Sequence, residues 1–166
     1  MKKFEELATY YIEELEKYSI EQFRMKPSSE EWSLGQMYNH LIASTYMQLN
    51  AITKCKIETP SITNIKTEMG EKVYKLGAFP NIQIKVPNHP GYTPENPATK
   101  EEMQKQFLEL ITIVKNTELT LSSIPSDCKV EHPGLGYLNA IEWFQLISMH
   151  FAHHLRQKER LELKIR

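Results

Sequence analysis

Cysteine is nearly absent from the sequence: Cys55 and Cys128 are its only two, and they form no CxxC pair. That excludes a disulfide scaffold. An excess of either charge is also missing. Lys plus Arg number 20 against 21 Asp plus Glu, a formal net charge of −1. This balance leaves no electrostatic footprint for DNA, RNA or an anionic membrane. No apolar run approaches the ~18 residues a membrane span needs. The opening MKKFEELATYYIEELEK turns acidic at Glu5 without the apolar stretch of a secretory signal. Internal repeats and low-complexity tracts are absent too. These absences lead to the expectation of one soluble, cytoplasmic domain across 1–166, long enough to bury a core without covalent staples.

Proline and glycine are few, and most of them are confined to one stretch. Pro60, Pro80, Pro87, Pro90, Pro94 and Pro97, with Gly70, Gly77 and Gly91, all lie between 57 and 98. Proline removes an amide donor and blocks helix continuation, so this stretch is not one long helix. Helical periodicity flanks it on both sides. Phe4, Leu7, Tyr11, Leu15 and Tyr18 recur at steps of three and four, predicting a first helix that stops before Pro27. A second runs from about Ser33, as N-cap, to Lys54. A third starts near Thr99 with Glu102 at capping-box spacing, and carries Met103, Phe107, Leu110, Val114 and Leu121. The fourth begins near Asn139, with Glu142 three residues on, after the turn-rich HPGLG at 132–136. The predicted class is therefore all-α, a four-helix bundle. The links between helices one and two, and three and four, are short and favour antiparallel neighbours. The 57–98 insert is long enough for a crossover between two parallel helices, and has room for a short hairpin around IQIKV (82–86).

Six histidines are present: His40, His89, His132, His150, His153 and His154. His150 and His154 stand one turn apart on the stripe of Ala140, Trp143, Ile147 and Leu161, which points into the bundle. That spacing aims two ring nitrogens at one ion. On the second helix His40 aligns with Met37, Ser44 and Met47, so it too can face inward, and Ser44 is small enough to leave room for a ligand. Three inward imidazoles from two helices match a catalytic-type metal site with an open position. The rival reading of His40 is a hydrogen-bonded core histidine. No HExxH motif supplies a built-in glutamate base, and neither cysteine lies on these stripes to close a structural site. His153 leans toward Met149 and Arg160 and is not expected to be a ligand; His89 and His132 sit in turn contexts. Trp143 reads as a core anchor and Trp32 as a staple at the start of the second helix. The basic C-terminal run RQKERLELKIR reads as a solvated helix end. Unperturbed histidines titrate near pH 6.5, so metal held by three of them should be released as pH falls through about 6.

Two stretches carry a resemblance. EWSLGQMYNHLIAS (31–44) is similar to the WS…HL start of helix 2 in the DinB-like, or YfiT-like, metalloenzyme superfamily. HPGLGYLNAIEWFQLISMHFAHHLRQ (132–157) resembles that superfamily's last motif, a glycine turn leading to HxxxHxxQ. The resemblance implies up-down-down-up connectivity with the long crossover between helices 2 and 3. It implies a divalent ion, nickel or zinc, held by His40, His150 and His154, with Gln157 matching the glutamine that follows. It further implies transfer chemistry with a low-molecular-weight thiol of the bacillithiol type and a small electrophile as partners, and no nucleic acid. The 57–98 insert is longer and richer in proline than the superfamily pattern. From the residues, two alternatives stand beside S-transfer: metal-dependent hydrolysis, and a non-catalytic metal or small-ligand module that pairs as a homodimer through exposed helix faces.

Overall fold

The computed structural model describes residues 4–81 and 93–165. They form helices α1 (Phe4–Leu15), α2 (Ile20–Arg24), α3 (Leu34–Cys55), α4 (Glu68–Leu76), α5 (Lys100–Glu118) and α6 (Ala140–Ile165), with a single 3-10 turn at Leu121–Ser123. Strands β1 (Lys129–His132) and β2 (Gly136–Asn139) pair antiparallel, from Lys129 opposite Asn139 to His132 opposite Gly136. The described residues are thus mostly helical, with one small two-stranded sheet among them.

Side-chain caps mark where the long helices begin. The Ser33 hydroxyl accepts from the Gln36 amide while the Gln36 side chain accepts from the Ser33 amide, which satisfies two otherwise orphan donors. The Thr99 hydroxyl does the same for the Glu102 amide ahead of α5. At α6, Asn139 Oδ1 accepts from the Glu142 amide and Glu142 Oε2 from the Asn139 amide, both at 2.9 Å. The three predicted helix starts after the first are therefore the observed ones.

A column of aromatic rings joins α1, α3, α5 and α6. Tyr11 packs edge-on against Tyr38 and Phe151, and both Tyr38 and Phe151 touch Phe107. The Tyr11 hydroxyl donates to the Phe151 carbonyl at 3.1 Å, and the Tyr38 hydroxyl to the Tyr11 carbonyl at 3.0 Å. Buried phenols need such acceptors. Nearby, Lys158 is only 1% exposed and bonds Glu14 of α1 and Glu162 of α6, each at 2.7 Å. Tyr18 donates to the same Glu162.

Several expectations need correcting. The first predicted helix is broken: α1 ends at Leu15, and Ser19 opens α2 through a capping box with Gln22. The Ser19–Gln22 cap offers the backbone an alternative to continuing the helix, and it is taken. The 57–98 insert holds α4, capped by the Thr67 hydroxyl and ended by Gly77 in the left-handed conformation (φ 63°). HPGLG is the turn of the β1–β2 hairpin, and α4 packs so closely on it that a Cβ at Gly70 would lie 2.2 Å from the Leu135 carbonyl oxygen. Leu121, assigned to the third predicted helix, belongs to the 3-10 turn. Met47, placed on the inward stripe, is 47% exposed. The IQIKV stretch and His89 fall outside the described residues. No described helix is long and apolar enough to cross a membrane.

Candidate metal centre

The face of α3 that buries Met37 and Leu41 also turns His40 toward α6, whose own stripe of Trp143, Ile147 and Phe151 brings His150 and His154 to meet it. His150 Nε2 stands 3.2 Å from His40 Nε2 and 3.0 Å from His154 Nε2. One ligand atom from each ring lies within 4.8 Å of the others. Among the described residues no other group of three histidine, cysteine or acidic side chains meets this condition.

These separations test the fit to a metal. Two nitrogens each about 2.0–2.1 Å from one ion are about 3.3 Å apart at a tetrahedral angle and about 2.9 Å apart at a right angle. The observed gaps fall in that interval. They are poorly explained as hydrogen bonds alone, because one His150 nitrogen faces two others and a neutral ring carries a single N–H. The remaining nitrogen, His150 Nδ1, is buried without a hydrogen-bond partner. The donor set therefore fits a divalent cation that accepts imidazole.

The surroundings keep the three rings neutral. Burial is the main cause, and neighbouring histidines add to it: the His40 pKa falls to about 4 and that of His154 to about 3, while His150 is held well below its ordinary value. Neutral imidazole is the ligating form. The release of metal expected near pH 6 rested on unperturbed histidines, and burial moves proton competition within the folded protein to lower pH.

Gln157, one turn beyond His154, places Oε1 2.7 Å from His154 Nδ1. An amide oxygen can only accept, so Nδ1 carries the proton and Nε2 offers its lone pair to the cluster. The Ser44 hydroxyl donates to the His40 carbonyl at 2.6 Å and stays 3.4 Å from His40 Nε2. Among the described residues His154 is buried, whereas His40 and His150 are only partly buried.

The other described histidines, His132 and His153, lie elsewhere. His153 packs against Phe79 and the flank of the His154 ring, outside the cluster. His132 Nδ1 accepts from the Gly134 and Leu135 amides and holds the hairpin turn. Cys55 and Cys128 are buried away from the three rings, and burial pushes the Cys55 thiol up to about 11. Two neighbours of the cluster were not read as part of it. Trp32, expected only as a staple, lays its ring 5.2 Å from that of His40. Phe79, in the insert, lies 6.4 Å from His150. Trp32 precedes a recognisable cap and could have been suspected; Phe79 lies in no periodic pattern.

Comparison with known proteins shows the family. An uncharacterized protein of Bacillus subtilis (strain 168), YuaE, is 25% identical over 153 residues, covering 92% of this chain and 90% of its own. The sequence profile of the DinB superfamily matches residues 3–157, a span that contains α3, α6 as far as Gln157, and all three clustered histidines. The chain belongs to the DinB superfamily.

Proposed function

We propose that His40, His150 and His154 hold a divalent metal ion, nickel or zinc, and that the protein transfers a low-molecular-weight thiol of the bacillithiol type to a small electrophile. The observation that carries this reading is the convergence of three Nε2 atoms from two helices, with Gln157 fixing the tautomer of one of them. A divalent ion there would supply Lewis acidity that favours the thiolate form of an incoming thiol. The chain's own residues present three neutral donors. Among the described residues no fourth protein ligand closes the set, the arrangement typical of catalytic rather than structural sites. Among the described residues no carboxylate joins the group of three imidazoles. A hydrolase using a carboxylate base is therefore the less favoured reading.

The same proposal includes the scaffold: one domain, a four-helix bundle of α1, α3, α5 and α6 running up-down-down-up. Four sets of pairings support it. Phe4 meets Phe151 while Tyr18 meets Glu162; Lys115 meets Glu5 while Lys100 meets Leu15. Cys55 lies by Leu138 while Lys164 reaches Glu31, and Tyr38 packs on Phe107 beyond the contact of Gly35 with Pro97. A homodimer and a cytoplasmic location complete the reading. The test is turnover of the alkylating reagent monobromobimane with a panel of thiols, using nickel- or zinc-loaded protein. A thiol-dependent rate above background that chelation and His154→Ala both abolish is expected. Loaded protein that stays inert to the whole panel would favour a binding module instead.

A further inference from the structure

Among the described residues, aromatic rings flank the partly buried His40 and His150 of the cluster. Trp32 sits against His40, His40 against His150 with ring centres 5.0 Å apart, and His150 against Phe79. The two outer rings come from different parts of the chain: Trp32 from the turn before α3, Phe79 from the segment after α4. Both residues are only partly buried, as are His40 and His150. Elements fixed elsewhere hold both rings in place. Ser33, next to Trp32, donates to Asn96 at 2.5 Å and caps α3. Asn81, two residues beyond Phe79, accepts from Arg156 of α6 at 2.7 Å. Phe79 also rests on His153, which gives that histidine a role as a platform.

From this we infer that Trp32 and Phe79 form a recognition frame for the apolar part of the ligand, selecting molecules that carry a flat aromatic or similar apolar group close to the donor atom that joins the three imidazoles. This rests on the metal-site reading above. Aromatic rings gain most from another ring placed edge-on or offset, and a few polar anchors among apolar walls is the usual plan of a small-molecule site. Among the described residues, the partly buried Trp32 and Phe79 offer apolar surface beside the histidine cluster that a ligand ring can cover. The selected class is thus an aryl or arylalkyl donor over a short aliphatic one.

The experiment compares benzyl mercaptan with ethanethiol on cobalt-loaded protein, following the charge-transfer absorption that appears when thiolate sulfur reaches the ion. Wild type should bind benzyl mercaptan about tenfold more tightly, as one well-placed ring contact allows. Trp32→Ala and Phe79→Ala should each remove most of that preference and leave ethanethiol affinity unchanged. Equal affinity for the two thiols in wild type, or a preference that survives both substitutions, would overturn the inference. A second readout uses metal-free protein, with the NMR signal of the Trp32 indole N–H followed during titration with benzyl mercaptan. A saturable shift that Phe79→Ala abolishes supports the frame even where cobalt fails to load, an outcome that would count against the metal site alone. No shift in metal-free protein, together with no preference in loaded protein, removes the frame and leaves the metal site standing.

Discussion

Lowering the pH of metal-free protein should destabilise it in a defined window. In the unfolded chain each histidine titrates near pH 6.5. In the folded protein burial holds His40 at about 4 and His154 at about 3, with His150 also well below its ordinary value. Below pH 6.5 the unfolded state therefore binds more protons than the folded one, and stability falls as pH falls. At about pH 5.5 a histidine that is protonated only after unfolding costs about 1.4 kcal/mol. Three such residues amount to about 4 kcal/mol, a large share of the roughly 5–15 kcal/mol of a typical domain. For a chain of this size the melting temperature should drop by about 8–16 °C between about pH 7.5 and pH 5.5. Glu14 and Glu31, held below the usual carboxylate range by lysine partners, contribute stability that is lost only as pH falls below about 4.5, outside the window. His132 and His153 are also lowered by burial and add a smaller response of the same sign. The decisive comparison is therefore thermal melting after chelation of wild type and of a His40→Leu, His150→Leu, His154→Leu triple variant. The variant should keep only the smaller response. Equal pH dependence in the two proteins would refute the assignment of neutral, buried imidazoles.

Other consequences are open to direct measurement. Metal content after dialysis should be lost in His150→Ala and His154→Ala and retained in His153→Ala, because the His153 ring packs outside the cluster. Gln157→Leu removes the acceptor that orients His154, so metal affinity by competition with a chromophoric chelator should weaken about 10–100-fold, and Gln157→Glu should restore it. Lys158→Ala removes the buried cation from Glu14, which keeps only the exposed Lys17, and from the partly exposed Glu162, and urea unfolding at neutral pH should show a loss of about 3 kcal/mol.

The sequence was most legible where one local rule covered many residues. α3 and α6 are long, begin at side chains that cap through a hydrogen bond, and repeat apolar residues with helical period. Their inward faces, and with them His40, His150 and His154, could be read without a partner helix in view. Period reading failed where the element was short or its partner distant. α4 has nine residues inside a proline-rich stretch, though Thr67 and Gly77 mark its two ends. Strands β1 and β2 have four residues each, too few for alternation to stand out from a turn motif. The first helix looked continuous because Tyr18 keeps the spacing of Tyr11 and Leu15, yet Tyr18 lies outside α1 and reaches Glu162 from the linking turn. Burial of the three imidazoles, which decides their protonation, depends on how α3 and α6 meet and has no signature in either segment alone.

Along α6, His150, His154, Lys158 and Glu162 stand four apart on one stripe, so a single face carries both the neutral cluster and the buried ion network. The two halves carry opposite costs. Lys158 has two carboxylates and, with Tyr18 bonded to the same Glu162, its charge is compensated within the fold. The histidine half is incompletely satisfied, with His150 Nδ1 lacking a partner and three Nε2 atoms facing one another. A buried polar cluster of that kind lowers stability unless something binds it. Meanwhile the column of Tyr11, Tyr38, Phe107 and Phe151 packs α1, α3, α5 and α6 together without calling on the three histidines. Packing holds the helices and leaves the imidazoles preorganised at a cost that a bound ion would offset. We therefore expect metal-free protein to stay folded, unlike a zinc finger, and thermal melting after chelation tests this: loss of the cooperative transition on chelation would refute it.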